Sequence, residues 1–493
     1  MILRAKNIIS MQNFKSENKK TILSKKYCQT NNLEVTEMLK KIIAVLCVLF
    51  IVTGIFAACG RIDNGKVDQT DTNGTINTVK EIRYLNFKPE IAEVYERIAD
   101  AYEKETGIKV IVETAASGTY ESTLTARMAT KEAPTIFQIN GPIGYTSWSE
   151  YCADLKDTEL YKHLKDKSLA ITSGDAVYGI PYVVEGYGII YNKKILDKYF
   201  ALENKGTDFS SAEQINNFKN LKALVEDMQA HKSELGIEGI FASTSLKTGE
   251  DWRWQTHLMN IPLSIEFEEK KVDFTGDKYK TIDFTYSDNY KNIFDLYTNN
   301  STTDKKQLGT IDVTSSMAEF ALGKCAMVQN GNWGASQILG VSGNTVSADD
   351  IKFLPIYTGI KGEENHGISI GTENYICINA KATKAEQKAA ADFLYWLFSS
   401  DAGKKFVVEE LGFISPFDTF TEEETPNDPL AREVVRWMNN KNVKNIPWNF
   451  TVFPSQNFKE GFGNSLLKYA QGSMTWDELK SKVVSDWKSE FGS

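Results

Sequence analysis

A chain of 493 residues is too long for one ordinary hydrophobic core, so two domains or lobes are expected. With 42% hydrophobic and 25% charged residues it has a globular composition, which excludes a disordered chain. A formal charge of −9 without basic clustering argues against a nucleic-acid partner and suggests a ligand that is not strongly anionic.

The first strong local signal is "MLKKIIAVLCVLFIVTGIFAACG", Met38 to Gly60. Lys40 and Lys41 form a positive start, and Ile42 to Phe56 is an uncharged apolar stretch of signal-peptide length. It is short for a membrane span, which needs about 20 residues. It closes on Phe56-Ala57-Ala58-Cys59, which resembles a bacterial lipobox with Phe at the position usually held by Leu. The resemblance implies signal removal before Cys59 and transfer of a diacylglycerol group, carrying palmitate-type chains, to its thiol. The other reading is an uncleaved single-span anchor. Both put the rest of the chain outside the cytoplasm. Residues 1–37 are polar, and Met38 is expected to be the true start. Gly60 to about Lys80 is polar without an apolar period and reads as a flexible tether.

Alternation of strand and helix then begins. "IRYLNF" (82–87) predicts a strand. "KPEIAEVYERIADAYEKETG" predicts a helix with Pro89 in the first turn, an apolar face of Ile91, Val94 and Ile98, and a stop at Gly107. "IKVIVETA" (108–115) is a second strand, "SGTYESTLTARMATKEA" a second helix and "PTIFQIN" (134–140) a third strand. This pattern implies crossovers over a buried sheet, with ligands at the strands' carboxyl ends. "AVYGIPYVVEGYGIIYNKKILDKYF" (176–200) is a long β-type run that can leave one sheet and enter another. Helix-rich sequence follows to about 350. Two helices are predicted in the "TKAEQKAAADFLYWLFSSDAGKKFVVEELG" stretch, a crossing strand in "FISPFDTF" (413–420), and helices from 428 to 487.

Of six cysteines, Cys28 and Cys47 lie in the removed segment and Cys59 is the lipid site. Cys152, Cys325 and Cys377 remain. Cys325 and Cys377 lie in apolar runs and read as buried thiols; no spacing indicates a metal site or a disulfide. No nucleotide-binding loop or His-Glu-x-x-His motif occurs. Neither a metal nor a cofactor is expected.

Four stretches carry a resemblance: the signal with Cys59, "YGIPYVVEGYGIIYNKKILDKY", "MAEFALGKCAMVQNGNWGASQI" and "GISIGTENYICINAKATKAEQKAAADFLYWLFSSDAGKKFVVEELGFISP". They occur in the order found in the extracellular solute-binding proteins (family 1) of ABC sugar importers, and the chain resembles that family from about 80 to 490. The resemblance implies an α/β fold of two lobes joined by hinge strands, the class II periplasmic-binding-protein arrangement, with sugar in the cleft. Lobe one would comprise 81–183 plus 370–412, and lobe two 187–365 plus 416–490, after a signal region of 1–58 and a lipidated tether of 59–80. It further implies a monomeric, non-enzymatic receptor on the outer face of the cell membrane, held by acylated Cys59. Such a receptor binds a di- or oligosaccharide and docks on the permease subunits of an importer. A lipid-anchored glycoside hydrolase and a receptor for a non-sugar solute are the alternatives.

A sugar needs aromatic plates for its faces and polar side chains for its hydroxyls. On the family pattern, Trp333 faces the cleft with Asn332 beside it, and Trp448 comes from the late aromatic segment "NIPWNFTVFPSQNF", with Phe453 next. Trp252 and Trp254 are candidates of which at most one lines the cleft, because i and i+2 do not share a helix face. Lys88, Gln138 and Asn140 stand at strand ends, Glu185 beside the first hinge and Glu373 and Asn374 past the second; Tyr120 completes the set.

Overall fold

In the computed structural model the described residues are 79–492, apart from 117–118, 273, 275–276 and 422. The apolar stretch 42–56 and Cys59 lie outside them, as do the tether residues up to 78.

The chain folds as two lobes, each built on a mixed sheet. In the first lobe β1 (Glu81–Asn86) pairs in parallel with β2 (Lys109–Thr114) and β3 (Ile136–Asn140). The helix Ala92–Thr106 supplies the first crossover and ends where Gly107 adopts a left-handed conformation, φ 75°. β4 (Ile171–Ser173) and β5 (Ala176–Pro181) form the far edge. The chain then enters the second lobe directly as β6 (Glu185–Asn192), which is buried along its whole length. β6 is the centre of the second sheet. It pairs antiparallel with β8 (Cys325–Gly331), β9 (Ile351–Leu354) and β10 (His366–Gly371), while β7 (Gly239–Phe241) and β12 (Lys444–Pro447) close its edges. From β10 the chain returns as β11 (Asn374–Ile378), inserted antiparallel between β3 and β5.

Period-two alternation sets the faces of both sheets. In the first, Ile136, Ile376 and Ile378 pack with the helices at 92–106 and 384–399, whereas Phe137, Ile139, Tyr375 and Cys377 pack with Leu124 and Trp148 on the other side. In the second, Tyr187, Ile189 and Tyr191 join the large core with Trp254 and Trp487, and Ile190 faces the helix Pro429–Asn439.

Two boundaries differ from the sequence expectation. Residues 370 and 371 belong to β10, so the second passage between sheets falls at 371–374. The run 413–420 is not a strand. It makes isolated bridges, Val184 to Ile414 and Leu164 to Phe417. Phe417 and Phe420 pack in the first lobe, where the Lys165 N–H donates to the Pro416 carbonyl and the Asp418 N–H to the His163 carbonyl. The chain therefore stays with the first lobe beyond 416. Pro416, which lacks an N–H, cannot continue a ladder.

Candidate functional site

The site grows from the ends of β1, β3 and β6. After β1 the chain turns at Lys88, held because the Asn86 side chain donates to the Lys88 carbonyl (2.8 Å) and accepts from its N–H (3.1 Å). This aims the Lys88 ammonium across to the second lobe. It donates to Glu185 Oε1 at 2.6 Å, lies 4.0 Å from Glu90 and stands 5.3 Å above the Trp333 ring. Both Lys88 and Glu185 are buried. Burial alone would lower the Lys88 pKa, but the Glu185 and Glu90 carboxylates outweigh it and push it up, so the ammonium keeps its proton. Burial pushes Glu185 up and Lys88 pulls it back. Glu185 Oε2 has no partner among the described residues.

Trp333 sits at the corner after β8. Its indole packs against Gly331, where any Cβ would stand 2.1 Å from the ring, so glycine there is a packing requirement. Around it stand Trp252 (ring centroids 5.8 Å apart) and Trp448 (6.4 Å, planes at 80°). His257 is the hub of this group, 4.7 Å from Trp252, 5.4 Å from Trp448, 4.6 Å from Tyr187 and 4.4 Å from Phe450. Residues 253–258 wind as a π-type turn. That wider winding carries Trp252 and His257, five residues apart, to the same cluster, as i→i+5 geometry allows. Burial and then the Arg253 charge hold the His257 pKa well below its ordinary value, so the imidazole is neutral. Arg253, buried against the Trp252 face at 4.0 Å, is pushed down to about 10 by burial.

On the first-lobe side, Asn140 donates to Glu373 Oε1 at 3.2 Å. Burial, then the charge of Glu185, pushes Glu373 up to about 7. Lys459, on the helix Gln456–Ala470 of the second lobe, is pulled down by burial and up by Glu373 and Glu121. The lobes meet at Gly141, φ +63°, whose Cα leaves no room for a side chain against Thr451. Several buried polar atoms here lack a partner among the described residues: Asn140 Oδ1, Asn374 Nδ2, Thr372 Oγ1, Trp448 Nε1, Arg253 Nη1 and His257 Nε2. Acceptors and donors of this kind, beside indole faces, suit a ligand that carries both hydroxyls and C–H surfaces. No cluster of His, Cys, Asp or Glu suited to a metal ion occurs among the described residues.

Of the residues expected from sequence, Trp333, Trp448, Trp252, Lys88, Glu185, Asn140, Glu373 and Asn374 come together here. Four others do not. Trp254 is sealed in the second-lobe core between Phe294 and Tyr297, on the opposite side of its turn from Trp252. Gln138 is spent on lobe-one structure, accepting from the Phe87 N–H (2.7 Å) and donating to the Tyr182 hydroxyl (2.7 Å). The Tyr120 hydroxyl accepts from the Gln138 N–H at 2.7 Å, and Phe453 packs on Trp487. Asn332 accepts from the Gly186 N–H at 2.9 Å and so ties the Trp333 corner to β6. Sequence reading missed His257, Arg253, Phe450 and Lys459. They lie in apolar or helical sequence, and only the π-type winding could have singled out His257.

Residues 97–433 match the family described as bacterial extracellular solute-binding protein. The melibiose/raffinose/stachyose-binding protein MelE of Bacillus subtilis (strain 168) is 29% identical over 109 residues, which is 22% of this chain and 25% of that protein. The alignment thus spans about a quarter of the relative's length. Among solved structures, a chitin oligosaccharide binding protein superposes with a TM-score of 0.64 at 18% identity, covering 85% of this chain and 100% of that one. RafE in complex with raffinose gives 0.60 at 18%, covering 83% and 99%. A sugar transporter from Bacillus licheniformis in complex with stachyose also gives 0.60 at 18%, with the same coverage. These likenesses concern the fold; the family match covers most of the chain, and the protein belongs to the bacterial extracellular solute-binding proteins.

Proposed function

We propose that this protein is a receptor that binds a neutral di- or oligosaccharide between its lobes and delivers it to the permease of an ABC importer. The observation that carries the reading is the meeting of three indoles, Trp252, Trp333 and Trp448, with buried unpartnered polar atoms at the facing ends of both sheets. Indole faces stack on sugar C–H surfaces, and the free acceptors Asn140 Oδ1 and Glu185 Oε2 require donors such as hydroxyls. An anionic ligand would meet Glu90, Glu185 and Glu373 with Lys88 already paired. The relatives' recorded ligands, raffinose, stachyose and chitin oligosaccharide, are neutral or nearly so and support the same class.

In this reading the sugar touches both lobes only when they are closed and so favours the closed form. The moving bodies are 81–183 plus 370–412 and 187–365 plus 416–490, with the second and third boundaries shifted as described above. The chain acts without catalysis, as a monomer, anchored outside the membrane through acylated Cys59. Calorimetric titration with raffinose, stachyose, chito-, xylo- and malto-oligosaccharides tests it, with chromatography of each mixture for products. One-to-one binding without product supports a receptor; released monosaccharide overturns it in favour of a hydrolase. The anchor is tested separately: Cys59→Ala should free the protein into the medium, and continued membrane retention would refute lipidation there.

A further inference from the structure

The first lobe brings two of the three described cysteines together. Cys152 follows the turn at Ser149–Tyr151 and forms an antiparallel bridge with Asn379, while the Ala153 N–H donates to the Ile378 carbonyl at 2.9 Å. Cys377 lies two residues before Asn379 on β11, on the same face and diagonal to Cys152. Both thiols sit in one apolar cluster with Phe137, Trp148 and Tyr375. The thiol of Cys152 donates to the Trp148 carbonyl at 3.3 Å and that of Cys377 to the Tyr375 carbonyl at 3.8 Å. Cys325 is buried in a different cluster, in the second lobe, and has no such neighbour among the described residues.

We infer that Cys152 and Cys377 form a disulfide in the exported protein, stapling the turn after the Gly141–Trp148 helix to the strand that returns from the second lobe. Members of this family work outside the cytoplasm, where disulfides persist. In the reaction the two thiols lose two protons and two electrons as an Sγ–Sγ bond forms. An external disulfide, small-molecule or on an oxidoreductase, takes up the electrons and is reduced to two thiols. Burial, and the neighbouring Cys152, push the Cys377 thiol well above its ordinary pKa, which slows attack once the lobe has closed. Oxidation therefore belongs to folding, before the cluster is buried. The bond closes a long loop, the case in which a cross-link most restricts the unfolded chain. The turn at Ser149–Tyr151, joined to β11 by an isolated bridge, can take up the small movement that closure requires.

The test uses the full chain, exported by a bacterial host and purified without reductant. Free thiols are alkylated with iodoacetamide under denaturing conditions, the protein is reduced, and new thiols are labelled with N-ethylmaleimide before peptide mass spectrometry. The peptides of Cys152 and Cys377 should carry the second label and that of Cys325 the first. If Cys152 and Cys377 both carry the first label, the inference is wrong. Reductant should also lower the melting temperature of the wild type by about 3–5 °C. Cys325→Ala should keep that drop and Cys377→Ala should lose it; an equal drop in Cys377→Ala would overturn the assignment. Should Cys377→Ala not fold, the labelling of the wild type still decides.

Discussion

Trp333 and Lys88 are the single side chains on which sugar binding and lobe contact most depend in the proposed reading. Trp333 is half-buried, packed on Gly331 and flanked by Trp252 and Trp448, and in the proposed reading its exposed face meets the sugar. Trp333→Ala should weaken sugar binding about 10- to 100-fold by calorimetry while leaving the fold intact. Lys88 and Glu185 form a buried pair between the lobes, and removing one partner strands the other. Lys88→Met should therefore cost about 3–5 kcal/mol in chemical denaturation, and adding Glu185→Leu should recover much of it. The acids Glu373 and Asp251, pushed up by burial to about 7 and about 6, give a pH signature. Each binds its proton more tightly in the folded than in the unfolded chain. The stability they contribute is thus full below the unfolded carboxyl range and is lost as pH rises through about 6 to 7. Melting temperature should fall across that window, and less steeply in Glu373→Gln and Asp251→Asn. Equal slopes in all three proteins would contradict the assignment.

At the scale of elements, β1 to β3 and their crossover helices were legible because apolar periodicity and the Pro89 and Gly107 signals agree with the fold they join. The passage into β6 was legible as a long β-type run. The segment 413–420 misled because its aromatic and β-branched residues imitate a strand, whereas Phe413, Phe417 and Phe420 are placed by packing against the first-lobe core. The π-type turn at 253–258 has no signature in a 3.6-residue period, which hid His257 although Trp252 was visible. Gln138 misled in another way: the end of β3 is a ligand position by topology, but this side chain is consumed by Phe87 and Tyr182. Gly331 couples element to site. Gly331→Ala should displace the indole, costing about 1–3 kcal/mol in stability and reducing sugar affinity together. Unchanged affinity would show that the indole face is not used.

For the whole molecule, function depends on two lobes that meet across the ends of their sheets. Gly141 and Thr451 touch there, and Gly141 combines a positive φ with no space for a side chain. Gly141→Ala should hold the lobes apart, so that saturating sugar compacts the variant less than the wild type in small-angle scattering. What the sequence could not supply is which polar groups each lobe keeps for itself and which it leaves for a ligand, because that depends on contacts between residues far apart in the chain. Whether a sugar is gripped between the lobes by these indoles is decided by calorimetric titration of the wild type and a Trp333→Ala/Trp448→Ala variant with the neutral oligosaccharide panel. Saturable one-to-one binding of at least one sugar by the wild type, and loss of that binding in the variant, are expected. No binding across the panel, or equal affinity in both proteins, would contradict that expectation.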